Sequence, residues 1–351
     1  MTIGELDTPT LAVDLAAVER NIGRMQRYCE EHGFALRPHV KTHKLPFLAH
    51  LQMRAGAVGI ACQKLGEAEV MAAAGLDDIL VTFPLVGPLK VDRLAVLAGV
   101  ARIGVVGDSD VVARSLSVGL AAAGLEVDFL VECDTGFGRT GVQEPRAAAE
   151  LAELVDSLHG LRFGGLMTYP TRDESGPWLR AAREEVERRG LRVARVSGGG
   201  TPTAFRTHEI GEVTEIRAGT YVYGDRACIA NGTVPPEDCA LRVLATVVSR
   251  PTRDRAIVDA GSKALTSDAA VGADEGFGFV VEYPEARIYQ LSEEHGHVDV
   301  SACAEQPEVG STVTIIPNHA CGATNLHDEV VIHRAGHVVG IWPVAARGRL
   351  R

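Results

Sequence analysis

Lys41 is the first residue whose type and setting suggest chemistry. Only five of the 35 basic residues are lysine. An ammonium kept within Arg37-Pro-His-Val-Lys41-Thr-His-Lys44 therefore hints at work that a guanidinium cannot do. A lysine desolvated at a barrel mouth and flanked by cations has a lowered pKa and can form a Schiff base. Arg37, His39, His43 and Lys44 supply such neighbours, with Arg37, His39 and Lys41 alternating along one face of an extended segment. The competing reading is a basic loop solvated at the surface. Ser197-Gly-Gly-Gly200-Thr201 exposes backbone N–H groups that could cradle a phosphate or could merely turn a strand into a helix. Gly219-Thr220 adds a second pair of amides. A Schiff-base lysine and a phosphate cradle in one barrel mean pyridoxal phosphate. Farther along, His319-Ala-Cys321 sets an imidazole and a thiol two residues apart. On a strand such residues share a face and can bind one metal, and sulfur beside imidazole favours zinc. Two protein ligands leave positions open for water or substrate, as a catalytic metal requires.

These groups need elements to hold them. Apolar runs begin near Leu36, Val58, Ile79, Arg102, Val127, Phe163, Val193 and Thr214. Their starts lie roughly 20 to 35 residues apart, the length of a strand, loop and helix. Helix-like stretches lie between them, among them Leu65 to Ala74, Pro145 to Leu158 and Pro177 to Arg189, the last opening on proline. Eight such units predict a (β/α)8 TIM-like barrel within residues 10–230. An open doubly wound sheet shares the alternation, and the count of eight favours the barrel. Barrel enzymes place reacting groups at the carboxyl ends of their strands, where Lys41, Gln63, Arg139, Tyr169, Ser197 and Arg217 all fall. The two glycine segments follow the seventh and eighth strands, a common place for phosphate in barrels. From 231 to 351 the texture is β-branched and short, with Gly, Pro and Asp turns, so an all-β domain without helices is expected there. Thr10 to Leu15 reads as a strand free to pair with that domain, ahead of a first helix over Ala16 to His32.

Composition narrows the partners. The 351 residues suit two domains, and 46% hydrophobic with 23% charged residues is a globular balance. A net charge of −11 and only 5% aromatics argue against nucleic-acid and anionic-membrane surfaces. Seven scattered cysteines with no CxxC pair point to a reducing cytoplasm. No apolar run reaches the roughly 20 residues of a spanning helix, and Met1-Thr-Ile-Gly-Glu5 is no signal peptide.

Arg37-Pro-His-Val-Lys41-Thr-His-Lys44 resembles the cofactor-lysine segment of the D-threonine aldolase and D-serine dehydratase family, a branch of the alanine-racemase-like barrel enzymes that use pyridoxal phosphate. The resemblance covers nearly the whole chain. It includes Asp134-Thr-Gly-Phe-Gly-Arg139-Thr-Gly141, Ser197-Gly-Gly-Gly-Thr-Pro202, Val258-Asp-Ala-Gly-Ser-Lys263 with Asp268, Glu293-Glu-His-Gly296, and Pro317-Asn-His-Ala-Cys321 with Asn325-Leu326. It implies that Lys41 carries the coenzyme aldehyde, with Gln63, Arg139 and Tyr169 along the ring and its phenolic oxygen. Ser197, Gly199, Gly200, Gly219 and Thr220 would hold the phosphate, and Arg217 would face the pyridine nitrogen. It makes His319 and Cys321 the ligands of a divalent metal, expected to be zinc. Several aldolase members carry aspartate at the place of Cys321, and the cysteine matches the dehydratase branch.

The implied function is a lyase acting on a D-3-hydroxy-α-amino acid, with dehydration to an oxo acid and ammonia as the expected outcome. Cleavage to glycine and an aldehyde is the alternative, and racemisation a third reading. A cytoplasmic homodimer is expected, with no nucleic-acid or membrane partner. Cys62 and Cys133 read as core residues, and His295, His297, His327, His333 and His337 as surface or structural groups. Asp259 and Asp268 are either turn caps or groups at the site, Trp342 packs, and Arg347, Arg349 and Arg351 form a solvated tail.

Overall fold

The computed structural model describes residues 1–269 and 276–351. It divides into two compact units. One holds Met25–Lys41, Pro46–Gly219 and Arg349–Arg351, and the other holds Met1–Arg24, Thr42–Leu45 and Thr220–Gly348.

Two of the elements lead into the barrel sequence, β1 (Thr10–Asp14) and α1 (Leu15–His32). The barrel strands are β2 (Ala35–Leu36), β3 (Ile60–Cys62), β4 (Asp78–Val81), β5 (Arg102–Gly107), β6 (Val127–Cys133), β7 (Leu161–Thr168), β8 (Val196–Gly198) and β9 (Glu215–Ile216). Among them run α2 (Pro46–Arg54), α3 (Leu65–Ala73), α4 (Pro88–Ala98), α5 (Asp110–Ala122), α6 (Pro145–Ser157) and α7 (Ser175–Arg188). The eight strands are parallel in the order β2-β9-β8-β7-β6-β5-β4-β3. A parallel bridge between His39 and Ala61 joins the two ends, so the sheet closes on itself as the barrel expectation requires. Leu80, Val106, Leu130 and Met167, from four successive strands, fill part of the interior and are almost wholly buried. Each such side chain is worth about 1.5–3 kcal/mol by burial alone.

Local signals explain the helix starts. Ser109 caps α5 by accepting from the Val112 amide, and Pro145 opens α6 where an amide hydrogen is not needed. The helix expected to open at Pro177 starts two residues earlier, at Ser175, whose hydroxyl accepts from the Arg172 amide. Pro177 is tolerated because first-turn amides lack acceptors within the helix. The tail is not simply solvated. The Arg351 carbonyl oxygen accepts from the Gly66 amide at 2.9 Å and from Arg93 at 3.1 Å.

In the other unit β10 (Leu241–Thr252), β11 (Arg255–Val258), β12 (Phe279–Val280), β13 (Arg287–Leu291), β14 (Gly296–Asp299), β15 (Thr312–Ile316), β16 (Glu329–Arg334) and β17 (His337–Pro343) join β1 in one nine-stranded sheet. Strand β1 runs antiparallel to β10, with Val13 opposite Leu241, and parallel to β16, with Ala12 opposite Val331. Among the described residues the expectation of no helices fails at the α-helices Ser262–Leu265 and Ala320–Leu326 and at the 3-10 turn Pro236–Asp238. No helix among the described residues is long and apolar enough to cross a membrane.

Candidate active site

In the barrel unit, Lys41 shares a pocket with His39, Gln63, Thr82, Arg139, Met167, Tyr169 and Arg217. The Lys41 Nζ lies 3.5 Å from Gln63 Oε1 and 5.7 Å from the centre of the Tyr169 ring. Gln63 is held from both ends. Its amide nitrogen donates to the Thr82 carbonyl at 3.2 Å, which turns Oε1 toward the lysine, and its backbone amide donates to Glu67 at 2.7 Å. His39 is two residues before the lysine, and its Nδ1 is 3.4 Å from the Lys41 amide while Nε2 is 3.0 Å from Thr82 Oγ1. Here it braces the backbone that carries Lys41.

Of the cationic neighbours expected for Lys41, His39 lines its pocket, whereas Arg37 and Lys44 have partners elsewhere. Arg37 is buried and points to Glu215 Oε2 at 2.8 Å and Asp78 Oδ1 at 2.6 Å. Lys44 is buried too, with its ammonium 3.4 Å from the Ala346 carbonyl. Alternation along the extended segment sets Arg37 on the face of Lys41, but two buried or half-buried carboxylates draw its charge away from the amine.

Arg139 rides on the loop after β6. Asp134 clamps that loop by accepting from the amides of Gly136, Phe137 and Gly138 at 3.0, 2.7 and 3.1 Å. Burial would raise this carboxyl, but these amides outweigh it and hold it below the usual range. The Arg139 guanidinium sits 4.8 Å over the Tyr169 ring, which meets Phe137 edge-on. Arg217 is buried, and burial brings its guanidinium down to about 10 against the pull of Glu215 and Glu132.

The phosphate candidates divide by what their groups already do. Ser197 donates its hydroxyl to Glu215 and accepts from Arg217, and the Gly199 amide donates to Thr171 at 2.8 Å. The amides of Gly200, Gly219 and Thr220 donate to no group among the described residues. Gly219 is buried, and a buried amide calls for an acceptor. A Cβ built on Gly200 would meet nothing closer than 3.7 Å, an ordinary van der Waals contact. An amine, two guanidiniums and unspent amides at strand ends fit an aldehyde bearing a phosphate.

In the second unit, His319 and Cys321 do not lie on a strand. His319 is extended and precedes the helix Ala320–Leu326, whose first turn carries Cys321. The turn, rather than strand alternation, brings the imidazole and sulfur within hydrogen-bond reach. Asp225 anchors it by accepting from the Ala320 amide at 3.0 Å. Asn318 is buried and donates to the Asp268 carbonyl at 3.0 Å, and Asp268 Oδ2 reaches His319 Nδ1 at 2.6 Å. Hydrogen bonding to Cys321 is the largest influence on His319, raising it to about 9 against the opposing effect of burial, with Asp268 adding to the rise. Around the sulfur, Thr42 Oγ1 lies at 3.2 Å and Thr220 Oγ1 at 3.9 Å. The Tyr223 hydroxyl is buried without a hydrogen-bond partner. No set of three or more His, Cys, Asp or Glu able to hold a metal gathers among the described residues. An imidazole with Nδ1 engaged and a sulfur beside it remain as a two-ligand set that fits a borderline-soft divalent ion.

The lesser candidates sort plainly. Cys62 and Cys133 are core residues. Asp259 accepts from the Thr246 amide and the Thr8 hydroxyl, a structural role. His327 Nε2 meets the Ala264 carbonyl and His297 meets Ser292.

Comparison with known proteins agrees with this geometry. Residues 13–227 match the family model described as alanine racemase, N-terminal domain, and 240–333 match a serine dehydratase domain. The chain is 38% identical to a D-threonine aldolase of an Arthrobacter species, over 99% of this chain and 94% of the relative. The crystal structure of D-threonine aldolase from Filomicrobium marinum superposes with a TM-score of 0.92 at 35% identity, covering 100% of this chain and 98% of the other. D-threo-3-hydroxyaspartate dehydratase has been solved as mutants at a histidine and at a cysteine two residues beyond it. The cysteine mutant is described as metal-free and has a TM-score of 0.87 at 31% identity, covering 98% of both chains.

Proposed function

The chain belongs to the family of alanine-racemase-like barrel enzymes, and from that premise we propose a pyridoxal-phosphate- and metal-dependent lyase of D-3-hydroxy-α-amino acids, of the dehydratase type. The single observation that carries the dehydratase reading is the His319–Cys321 pair. Its spacing matches the histidine and cysteine mutated in the dehydratase relative.

Lys41 would hold the coenzyme aldehyde, with Gln63 and Tyr169 beside the amine and Arg139 and Arg217 as donors to the ring. The free amides of Gly200, Gly219 and Thr220 would meet the phosphate. When bound, the coenzyme supplies an electron sink for charge at Cα, and the divalent metal supplies a Lewis acid for the 3-hydroxyl. Freed Lys41 takes the Cα proton on Nζ, kept in place by Gln63 and by the His39 brace on its backbone. His319 and Cys321 hold the metal, with zinc the ion that their donor set favours. The 3-hydroxyl would leave as water, and the resulting enamine, as its imine tautomer, would take up water to give a 2-oxo acid and ammonia. Free cysteines throughout support a cytoplasmic setting, and a homodimer is the assembly we expect.

A second reading, Cα–Cβ cleavage to glycine and an aldehyde, draws support from the D-threonine aldolase relative. Incubation with D-threonine separates the two. 2-Oxobutyrate and ammonia indicate dehydration, and glycine with acetaldehyde indicates the aldolase. A panel of D- and L-3-hydroxy amino acids, with and without chelator, tests the stereochemical and metal claims. L-selective or chelator-indifferent turnover would contradict them.

A further inference from the structure

Ser197 is fully buried, and its hydroxyl has one proton to give. Strand register sets it opposite Glu215 in the β8–β9 pair. Glu215 and Arg217, two apart along one chain, project to the same side. The Ser197 hydroxyl donates to Glu215 Oε1 at 2.6 Å and accepts from Arg217 Nε at 2.8 Å. The direction is forced, because a carboxylate can only accept and a guanidinium can only donate. Glu215 is held ionised from its other oxygen, by Arg37 at 2.8 Å and Arg195 at 3.9 Å. Arg217 Nη2 is spent on the Thr168 carbonyl at 2.7 Å and the Ser197 carbonyl at 3.4 Å. Nη1 has no acceptor among the described residues, and Arg217 lines the pocket of Lys41.

We propose that Ser197 is a positioning residue that aims Arg217 into the coenzyme pocket, and that its hydroxyl is not a ligand of the phosphate. The inference rests on the coenzyme reading of that pocket. Glu215 sets the hydroxyl, the hydroxyl sets Nε, and the plane of the guanidinium then presents Nη1 to the bound ring.

Two aldehydes test this on apo-protein, pyridoxal 5′-phosphate and pyridoxal, which lacks the phosphate. Ser197→Ala should weaken both by the same factor, about tenfold for a charge-assisted bond, and shift the visible absorption band of the bound coenzyme. Arg217→Lys should shift the band as well, and adding Ser197→Ala to it should change nothing further. Weakening of pyridoxal 5′-phosphate alone, with pyridoxal and the band unchanged, would overturn the proposal. Equal weakening with an unshifted band would overturn it too, since loosened packing does not retune the ring. If Ser197→Ala fails to fold by thermal unfolding, Ser197→Cys, a weaker donor and acceptor, gives the same comparison. A wild type that takes up neither aldehyde would remove the pocket reading itself, an outcome distinct from those of the variants.

Discussion

His319 Nδ1 lies 2.6 Å from Asp268 Oδ2, so the imidazole is oriented through one nitrogen, and Nε2 is the atom the proposed metal would take. A carboxylate behind a ligating histidine fixes the ring and raises its basicity, and its loss typically costs 10–100-fold in metal affinity. Asp268→Ala is therefore expected to weaken zinc binding by roughly that factor, measured by competition with a chromogenic chelator. Unchanged affinity would reduce the contact to a surface ion pair.

Gly199 is packed beneath the pocket. A Cβ there would stand 3.1 Å from Arg217 Nη2 and 3.2 Å from Tyr169 Cδ2. Arg217 is held by Ser197 and the Thr168 carbonyl, so Gly199→Ala should push against a fixed guanidinium and displace the Tyr169 ring. The expected outcome is weaker pyridoxal 5′-phosphate binding, by about tenfold or more, with a thermal unfolding temperature close to wild type in the apo-protein. Binding measured by fluorescence titration checks it, and wild-type affinity would show that the two side chains can give way.

Arg37 forms ion pairs with both Glu215 and Asp78. Breaking a buried pair by removing one partner costs about 3–5 kcal/mol, and without Arg37 the buried Glu215 keeps only the more distant Arg195 at 3.9 Å. Arg37→Met should lose stability on that scale in urea unfolding at neutral pH. Burial would raise Glu215, but Arg37 and Arg195 outweigh it and hold it below its ordinary 4.5. A lowered native pKa stabilises fully above 4.5 and is lost as pH falls through the lower value. The gap between wild type and Arg37→Met should thus narrow on acidification below pH 4.5. A gap that widens instead would contradict the assignment of charge.

Much of the barrel was legible because strand and helix periods differ. The expected run starting at Arg102 and the one at Val127 coincide with β5 and β6, and Pro145 marks the first residue of α6. In the β domain the texture shows strands without fixing each one, because pieces as short as β12 carry too little periodicity to stand out. Lys41, Gln63, Arg139, Tyr169 and Arg217 could be named because they sit where strands end, and the structure gathers them in one pocket. Partners could not be named, since pairing depends on register across strands far apart in sequence. Arg37 looked like a neighbour of Lys41 and is the partner of Glu215, and Ser197 looked like a phosphate ligand and is bonded to Glu215 and Arg217. The histidine and cysteine of the proposed metal pair are visible as a motif, but the turn that brings them together is not.

The claim on which the rest depends is that one amine, Lys41 Nζ, holds the coenzyme. Reduction of the pyridoxal 5′-phosphate-loaded protein with borohydride, followed by peptide mass spectrometry, tests it directly. A pyridoxyl adduct on Lys41, absent together with turnover in Lys41→Ala, is the expected result. An unmodified Lys41, or an adduct on Lys44, Lys64, Lys90 or Lys263 in its place, would contradict it.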